Sequence, residues 1–313
     1  MPESFLVALR VVAPMALLML LGAGVRKGGV IDRPTMQKVD KLTFRLFMPV
    51  LLFKNIYETD LSQNFEWREL LFAAGSLAAI FALALWLPPR LVKNHTQAAT
   101  VGQAVIRSNY ILFGISVAES IYGEGNVGAV ALLGAMAVPL TNAMAVVILE
   151  LNRSGRASPG KILLAIGKNP MVVAALSAFF LLAMPFRLPD LLWSVVVDVA
   201  GVTTTISFIS LGVSLDPGQT RANRRPLLCG ILLRMVLIPL IFLPISIALG
   251  FRGPTLCALM VLFAAPTAVA SYPMAVAMGG DGQLAGQLVC LTTVLSVFTM
   301  FCYTFLFQSL GLL

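Results

Sequence analysis

Within the apolar stretch 98–122 stands a cluster that a lipid-buried helix has no reason to carry: Arg107-Ser108-Asn109-Tyr110, followed by Gly114 and Ser116. An arginine and an asparagine two positions apart offer a positive charge and an amide donor, and a carboxylate suits both. A second cluster interrupts the stretch 254–278, where Pro266-Thr267 precedes Ser271, Tyr272 and Pro273. A proline lacks the amide donor and clashes with the preceding turn. Each interruption frees backbone groups that are tolerated in a membrane only against protein or a water-filled cavity. A half-helix beginning there presents free amides and the positive end of its dipole to an anion. The candidate substrate-binding residues are therefore Arg107, Asn109, Tyr110, Gly114, Pro266, Thr267 and Ser271. Thr141 and Asn142, which follow Pro139 in the stretch 127–150, join them. Two plainer readings stand beside this one: Arg107 snorkelling to an interface, and Thr141 and Asn142 bonding between helices.

Several other ionisable residues lie inside apolar stretches, among them Arg10, Arg45, Lys168, Asp198 and Arg234. Each costs at least ~2.5–3.5 kcal/mol at a helix centre if unpaired. Asp198, followed by Thr203, Thr204, Thr205, Ser207 and Ser210, is the coupling candidate, as a proton or sodium site, or else a partner for an arginine. Arg45 is read equally as functional or structurally paired, Lys168 as a helix-entry residue, and Arg10 and Arg234 as reaching an interface or a neighbour. Enzyme chemistry finds little to work with. The single histidine, His95, lies in a connection, and Cys229, Cys257, Cys290 and Cys302 sit in apolar stretches like small buried hydrophobes. No nucleophile–base pair or metal-ligand spacing is present, so neither catalysis nor a cofactor or metal is expected.

The elements that must position these groups follow from composition. The chain has 313 residues, 58% apolar and 12% charged, against about 25% charged in soluble domains. Its apolar stretches run 5–25, 37–57, 69–92, 98–122, 127–150, 162–184, 190–214, 226–249, 254–278 and 284–310. They do not alternate and are long enough for helices crossing a ~30 Å hydrocarbon core. The reading is an all-α integral membrane protein with ten transmembrane helices, its partner the lipid bilayer. The net charge of +8 reflects basic residues in the connections rather than a nucleic-acid surface. Connections on one side hold thirteen Lys and Arg (26, 27, 33, 38, 41, 90, 93, 153, 156, 161, 221, 224, 225), and those on the other only Arg68, Arg187 and Arg252. The positive-inside rule then puts both termini outside a cell (inner) membrane, with the connection 152–161 in the cytoplasm. That linker separates a five-helix unit, 1–151, from a second, 162–313. Odd units insert in opposite senses, the plan of an inverted repeat with broken fourth and ninth helices. An offset of 157 lays Gly123-Glu124-Gly125 on Gly280-Asp281-Gly282.

The order and spacing of several segments carry a resemblance over essentially the whole chain. They are KLTFRLFMPVLLFKNI (41–56), SNYILFGISVAESIYG (108–123), GKNPMV (167–172), SLGVSL (210–215) and AAPTAVASYPMAVAMGGD (264–281). The sequence resembles the auxin efflux carrier family of permeases, which includes plant PIN-type carriers and bacterial malate or malonate permeases. The resemblance implies ten helices as inverted five-helix repeats, with the fourth and ninth unwound and crossing at mid-membrane. It implies that Asn109 hydrogen-bonds a substrate carboxylate and that Pro266 holds the ninth helix open, and it is compatible with a homodimer. Two departures matter. Ile115-Ser116 stands where many relatives have Ile-Pro, and Leu70–Ser76 lacks the charged pair of PIN-type carriers, which argues against auxin. The expected function is secondary transport of small organic anions, mono- or dicarboxylates, by alternating access. The alternative is a sodium- or proton-coupled symporter or antiporter of the related bile-acid-symporter-like fold.

Overall fold

Prolines and glycines decide where these helices stop, bend and touch. The computed structural model describes residues 2–58, 67–153, 159–184, 187–216, 218 and 222–313. The first half holds α1 (Pro2–Lys27), α2 (Arg33–Leu42), α3 (Met48–Tyr57), α4 (Trp67–Trp86), α5 (Pro88–Leu91), α6 (His95–Ile106), α7 (Tyr110–Tyr122) and α8 (Gly128–Arg153). The second holds α9 (Pro159–Gly167), α10 (Pro170–Leu182), α11 (Asp190–Ser214), α12 (Arg224–Leu232), α13 (Ile238–Ala248), α14 (Gly253–Ala264), α15 (Ser271–Met278) and α16 (Gly282–Ser309). No strand occurs among the described residues. Among the described residues, five continuous stretches are long and apolar enough to cross a membrane: Trp67–Leu91, Gly128–Leu151, Asp190–Ser214, Arg224–Ala248 and Gly282–Ser309. Arg156 and Arg221, two of the thirteen basic residues on the cytoplasmic side of the expected topology, lie outside the described residues, as does the side chain of Arg10.

Two π-turns, Thr43–Phe47 between α2 and α3 and Leu233–Leu237 between α12 and α13, each end just before a proline, Pro49 and Pro239. Proline cannot donate the next helical bond, and one widened turn absorbs the mismatch. The first widening leaves Arg45 exposed. The second turns Arg234 inward, where it is only 1% exposed. Elsewhere Asn169 caps α10 through a 3.0 Å bond from the Met171 amide, while Lys168 stays exposed.

Helix α1 lies along α11, and α3 along α10. At the first contact the backbones touch: a Cβ on Gly22 would collide with the Ile209 carbonyl, and one on Gly212 with the Met19 carbonyl. In lipid, where apolar burial drives no association, such close packing is what holds helices together. Outward faces expose large apolar side chains such as Leu17, Leu20, Leu71, Leu176, Leu191 and Phe298, a surface suited to acyl chains.

At the centre lie the short helices α6 and α14, with every residue of Ala98–Ile106 and of Leu256–Ala264 buried. The stretches 98–122 and 254–278 are each cut in two there. The first break is Arg107–Asn109; the second, Ala265–Ala270, is twice as long. The halves beyond the breaks end at left-handed glycines, Gly123 (φ 89°) and Gly279 (φ 78°). The second falls one residue before the Gly280 that an offset of 157 pairs with Gly123.

The breaks cross and bond to each other. Ser108 and Thr267 form an antiparallel bridge. The Asn109 amide donates to the Pro266 carbonyl at 2.8 Å, and the Ala268 amide to the Arg107 carbonyl at 3.0 Å. The carbonyls stranded at the ends of α6 and α14 find side-chain donors. Thr267 Oγ1 donates to Ala104 O at 3.0 Å. Arg234 donates to Ala265 O at 2.9 Å, Leu262 O at 3.0 Å and Val105 O at 3.3 Å. The Thr292 hydroxyl accepts from the Thr267 amide at 3.2 Å. No carboxylate is needed to balance Arg234. Two helix C-termini, each worth roughly half a negative charge, converge on one guanidinium.

A polar cluster fixes α6 to the second half at its other end. Gln97 Nε2 donates to Asn223 Oδ1 at 3.0 Å and to Asp281 Oδ2 at 3.1 Å, and the Asp281 amide donates to Thr100 Oγ1 at 2.9 Å. Asn223 Nδ2 donates to Gln287 Oε1 at 2.8 Å.

Two predictions follow from this packing. Arg234→Ala strands three buried carbonyls at ~1–3 kcal/mol each and should lower the Tm of detergent-purified protein steeply. Arg234→Lys, a point charge without the fork, should recover only part of that loss; full recovery would refute the carbonyl-fork account. Gly212→Ala should destabilise by at least ~1–3 kcal/mol through overpacking. Gly24→Ala, with nothing within 4 Å of the new methyl, should stay within about 0.5 kcal/mol. Equal melting points for the two glycine variants would contradict the close approach of α1 and α11.

Candidate functional site

Beside the crossing opens a cavity of about 290 Å³, near the small end of the ~300–1,000 Å³ range of ligand pockets. Its floor is the first break and the start of α7, from Arg107 to Leu112. Thr141 and Asn142 of α8 and Ala268–Ala270 of the second break complete that side. The opposite wall comes from Met48, Leu51, Leu52 and Asn55 of α3, Met171 of α10 and Thr204 of α11. The cavity therefore lies in the seam between the crossing helices and the helices packed as α1–α11 and α3–α10.

The polar atoms in this seam are unevenly satisfied. Asn109 is 7% exposed, its backbone is held by Pro266, and its side-chain Nδ2 meets no acceptor among the described residues. No side chain caps the first turn of α7. Arg107 is 4% exposed, and its guanidinium lies 3.1 Å from the Met274 thioether, a weak acceptor. Among the described residues no carboxylate forms an ion pair with it. Asn142 is held through Nδ2 to Val138 O at 2.8 Å, leaving Oδ1 unmatched, and Thr141 donates to the same carbonyl at 3.1 Å. The Tyr110 hydroxyl is buried without a partner among the described residues. Arg107, Asn109 and the N-terminal end of α7 thus all border one small, largely apolar space. A carboxylate supplies what all three lack.

Five of the nine residues singled out as substrate-binding line this cavity: Arg107, Asn109, Tyr110, Thr141 and Asn142. Pro266, Thr267 and Ser271 build the crossing behind it. Pro266 accepts from Asn109, Thr267 ties to α6, and the Ser271 carbonyl accepts from Gln103 Nε2 at 3.2 Å. Gly114 faces α8, where a Cβ would press on Val130. Asp198 is exposed on α11 and does not line the cavity. Asn55, Met171 and Thr204 escaped the sequence reading. Asn55 sits in an otherwise ordinary apolar stretch, and Thr204 was one of several hydroxyls with nothing to single it out.

A family model described as membrane transport protein matches this chain twice, over residues 7–159 and 152–304. An uncharacterized transporter of Methanothermobacter thermautotrophicus is 24% identical over 309 residues, covering 95% of this chain and 97% of that protein. The chain belongs to the membrane transport protein family, the family of auxin efflux carrier-type transporters.

Proposed function

We propose that this transporter is a secondary carrier of small organic anions, mono- or dicarboxylates, working by alternating access in the cell membrane. The observation that carries the proposal is the pairing of Arg107 and Asn109 on one broken helix. Both line a cavity of about 290 Å³, the first without a carboxylate partner among the described residues and the second with an unmatched amide donor. The anion binds with its carboxylate against Asn109 Nδ2, the Arg107 guanidinium and the first amides of α7. Tyr110, Thr141 and Asn142 shape and orient its remainder.

The mechanical half of the proposal is an inverted repeat of five helices and five, 1–151 and 162–313 joined by 152–161, with the fourth and ninth helices broken. Reciprocal packing supports it. Exchanging the two halves turns the α1–α11 contact (first with seventh helix) into the α3–α10 contact (second with sixth), and both contacts are present. The doubly matching family model supports it as well. Because the cavity lies between two groups of helices, rocking one against the other exposes it to each side in turn. The excess of basic residues in one set of connections supports an orientation with 152–161 in the cytoplasm and both termini outside. A homodimer is the assembly we adopt for the membrane form.

Reconstituted protein should take up radiolabelled carboxylates, and a thermal-shift screen should pick out the same compounds. Arg107→Gln should weaken uptake about 10- to 100-fold, matching the loss of a charged hydrogen bond of ~1.5–3 kcal/mol. Asn109→Ala should weaken it about tenfold. If no carboxylate is bound or moved, or if Asn109→Ala transports like the parent, the anion reading is wrong.

A further inference from the structure

We propose that Asp40 is the site where this carrier binds and releases a coupling proton, one per monovalent carboxylate carried in the same direction; this rests on the anion-carrier function proposed above. Asp40 is fully buried, at 0% exposure. Its carboxylate accepts from the Ser210 hydroxyl of α11 and, at 2.9 Å, from the Tyr272 hydroxyl of α15. Among the described residues no ion pair reaches it. A buried carboxylate held by a fixed cation would be locked in its charged form. Hydroxyls impose no such lock, because each both donates and accepts. They donate to the carboxylate when Asp40 is charged and turn to accept when it carries a proton, so the site serves both states. Three side chains supply only four oxygens, fewer than a sodium ion usually gathers, and this favours the proton.

Among the described residues around it, Asp40 is the one fully buried carboxylate. From α15 the titratable neighbour is Tyr272. The acids of α11, Asp190 and Asp198, are exposed earlier along that helix. On its own stretch Lys38, Lys41 and Arg45 are exposed. Arg33 pairs with Asp216 at 3.2 Å. The Gly218 amide and Arg33 hold Asp216 below the ordinary carboxylate range, so it stays charged while Asp40 titrates. A second cavity, of about 420 Å³, is lined by Arg33, Gln37 and Lys41 and by Ser214 and Tyr272. The Ser214 hydroxyl, one turn beyond Ser210, has no partner among the described residues. Ser214 and the Tyr272 hydroxyl thus stand between this cavity and Asp40.

Coupling runs through one short helix. Tyr272 and Met274 both belong to α15, which follows directly on the second break. The first holds Asp40 and the second touches Arg107. Proton binding replaces a charge-assisted bond to Tyr272 with a weaker neutral one, loosening α15 from α2. Charge sets the stoichiometry. Arg107 and Asp40 together are neutral when both are empty, and neutral again when one holds a monovalent anion and the other a proton. Either ligand alone leaves a net charge in an apolar interior, which is disfavoured. The loaded and empty forms therefore cross and the half-loaded forms do not.

The test uses full-length protein and two readouts. In infrared difference spectra between about pH 5 and pH 9, the parent should show a protonated-carboxyl band that Asp40→Asn removes. Tyr272→Phe should keep the band but move its midpoint to higher pH, because a donor to the charged form is gone. In proteoliposomes, an inward proton gradient should raise radiolabelled pyruvate accumulation several-fold for the parent. Asp40→Asn should still exchange pyruvate without responding to the gradient. The proposal is overturned if no Asp40-dependent band titrates, if Asp40→Asn still follows the proton gradient, or if a sodium gradient replaces it as the drive. A titrating band with no carboxylate transported would instead remove the anion reading and leave the proton site standing.

Discussion

The whole arrangement depends on one constraint: backbone groups freed in an apolar interior must find partners. Cutting two central helices exposes carbonyls at the ends of α6 and α14 and amides at the starts of α7 and α15. The two breaks satisfy each other through the Ser108–Thr267 bridge, and the surplus carbonyls are met by Arg234 and Thr267. What is left over lies on the other side of the crossing: Asn109 Nδ2 and the first turn of α7 without partners among the described residues, and Arg107 with only a thioether. The structure settles its internal C-terminal ends with its own arginine and keeps a positively polarised end facing the cavity. On the function proposed above, this asymmetry is what turns a packing problem into an anion site.

Much of this is visible in the sequence, for a physical reason. Polar clusters and prolines inside long apolar stretches are anomalies in lipid, so Arg107, Asn109 and Pro266 stand out against their surroundings. Arg234 stands out equally as a charge, but its partners are carbonyls, which every residue has. Only the π-turn before Pro239 aims it at the crossing, and no pattern of side chains encodes that. Asp40 was hidden differently. It lies beside Lys38 and Lys41 at the edge of a stretch, where a basic helix end explains it well enough, and its burial comes from α11 and α15 far along the chain. Gly114 illustrates the converse: a glycine near a break suggests close approach to a ligand, but here the close approach is to Val130.

The cavity's two walls differ in how firmly they are built. One wall belongs to the crossing, tied by backbone bonds, Arg234 and the Gln97–Asp281–Asn223–Gln287 cluster. The other belongs to α3, α10 and α11, whose own partners are each other and α1, with glycine-tight contact at Gly22 and Gly212. Asp40 is one of the polar groups joining the two, through Ser210 on one side and Tyr272 on the other. Apolar contacts slide readily; a buried hydrogen-bonded carboxylate does not. On the proposed mechanism, its state of charge therefore bears on how freely the walls separate.

The bridge between the breaks is made of main-chain atoms, Asn109 N to Pro266 O and Ala268 N to Arg107 O. Such a joint is indifferent to which side chains hang from it. Substitutions along the cavity wall can then recast the chemistry of the cargo without dismantling the frame that presents it. Over evolutionary time the frame and the cargo preference become separable traits: one scaffold can be inherited intact while its selectivity is rewritten a few side chains at a time.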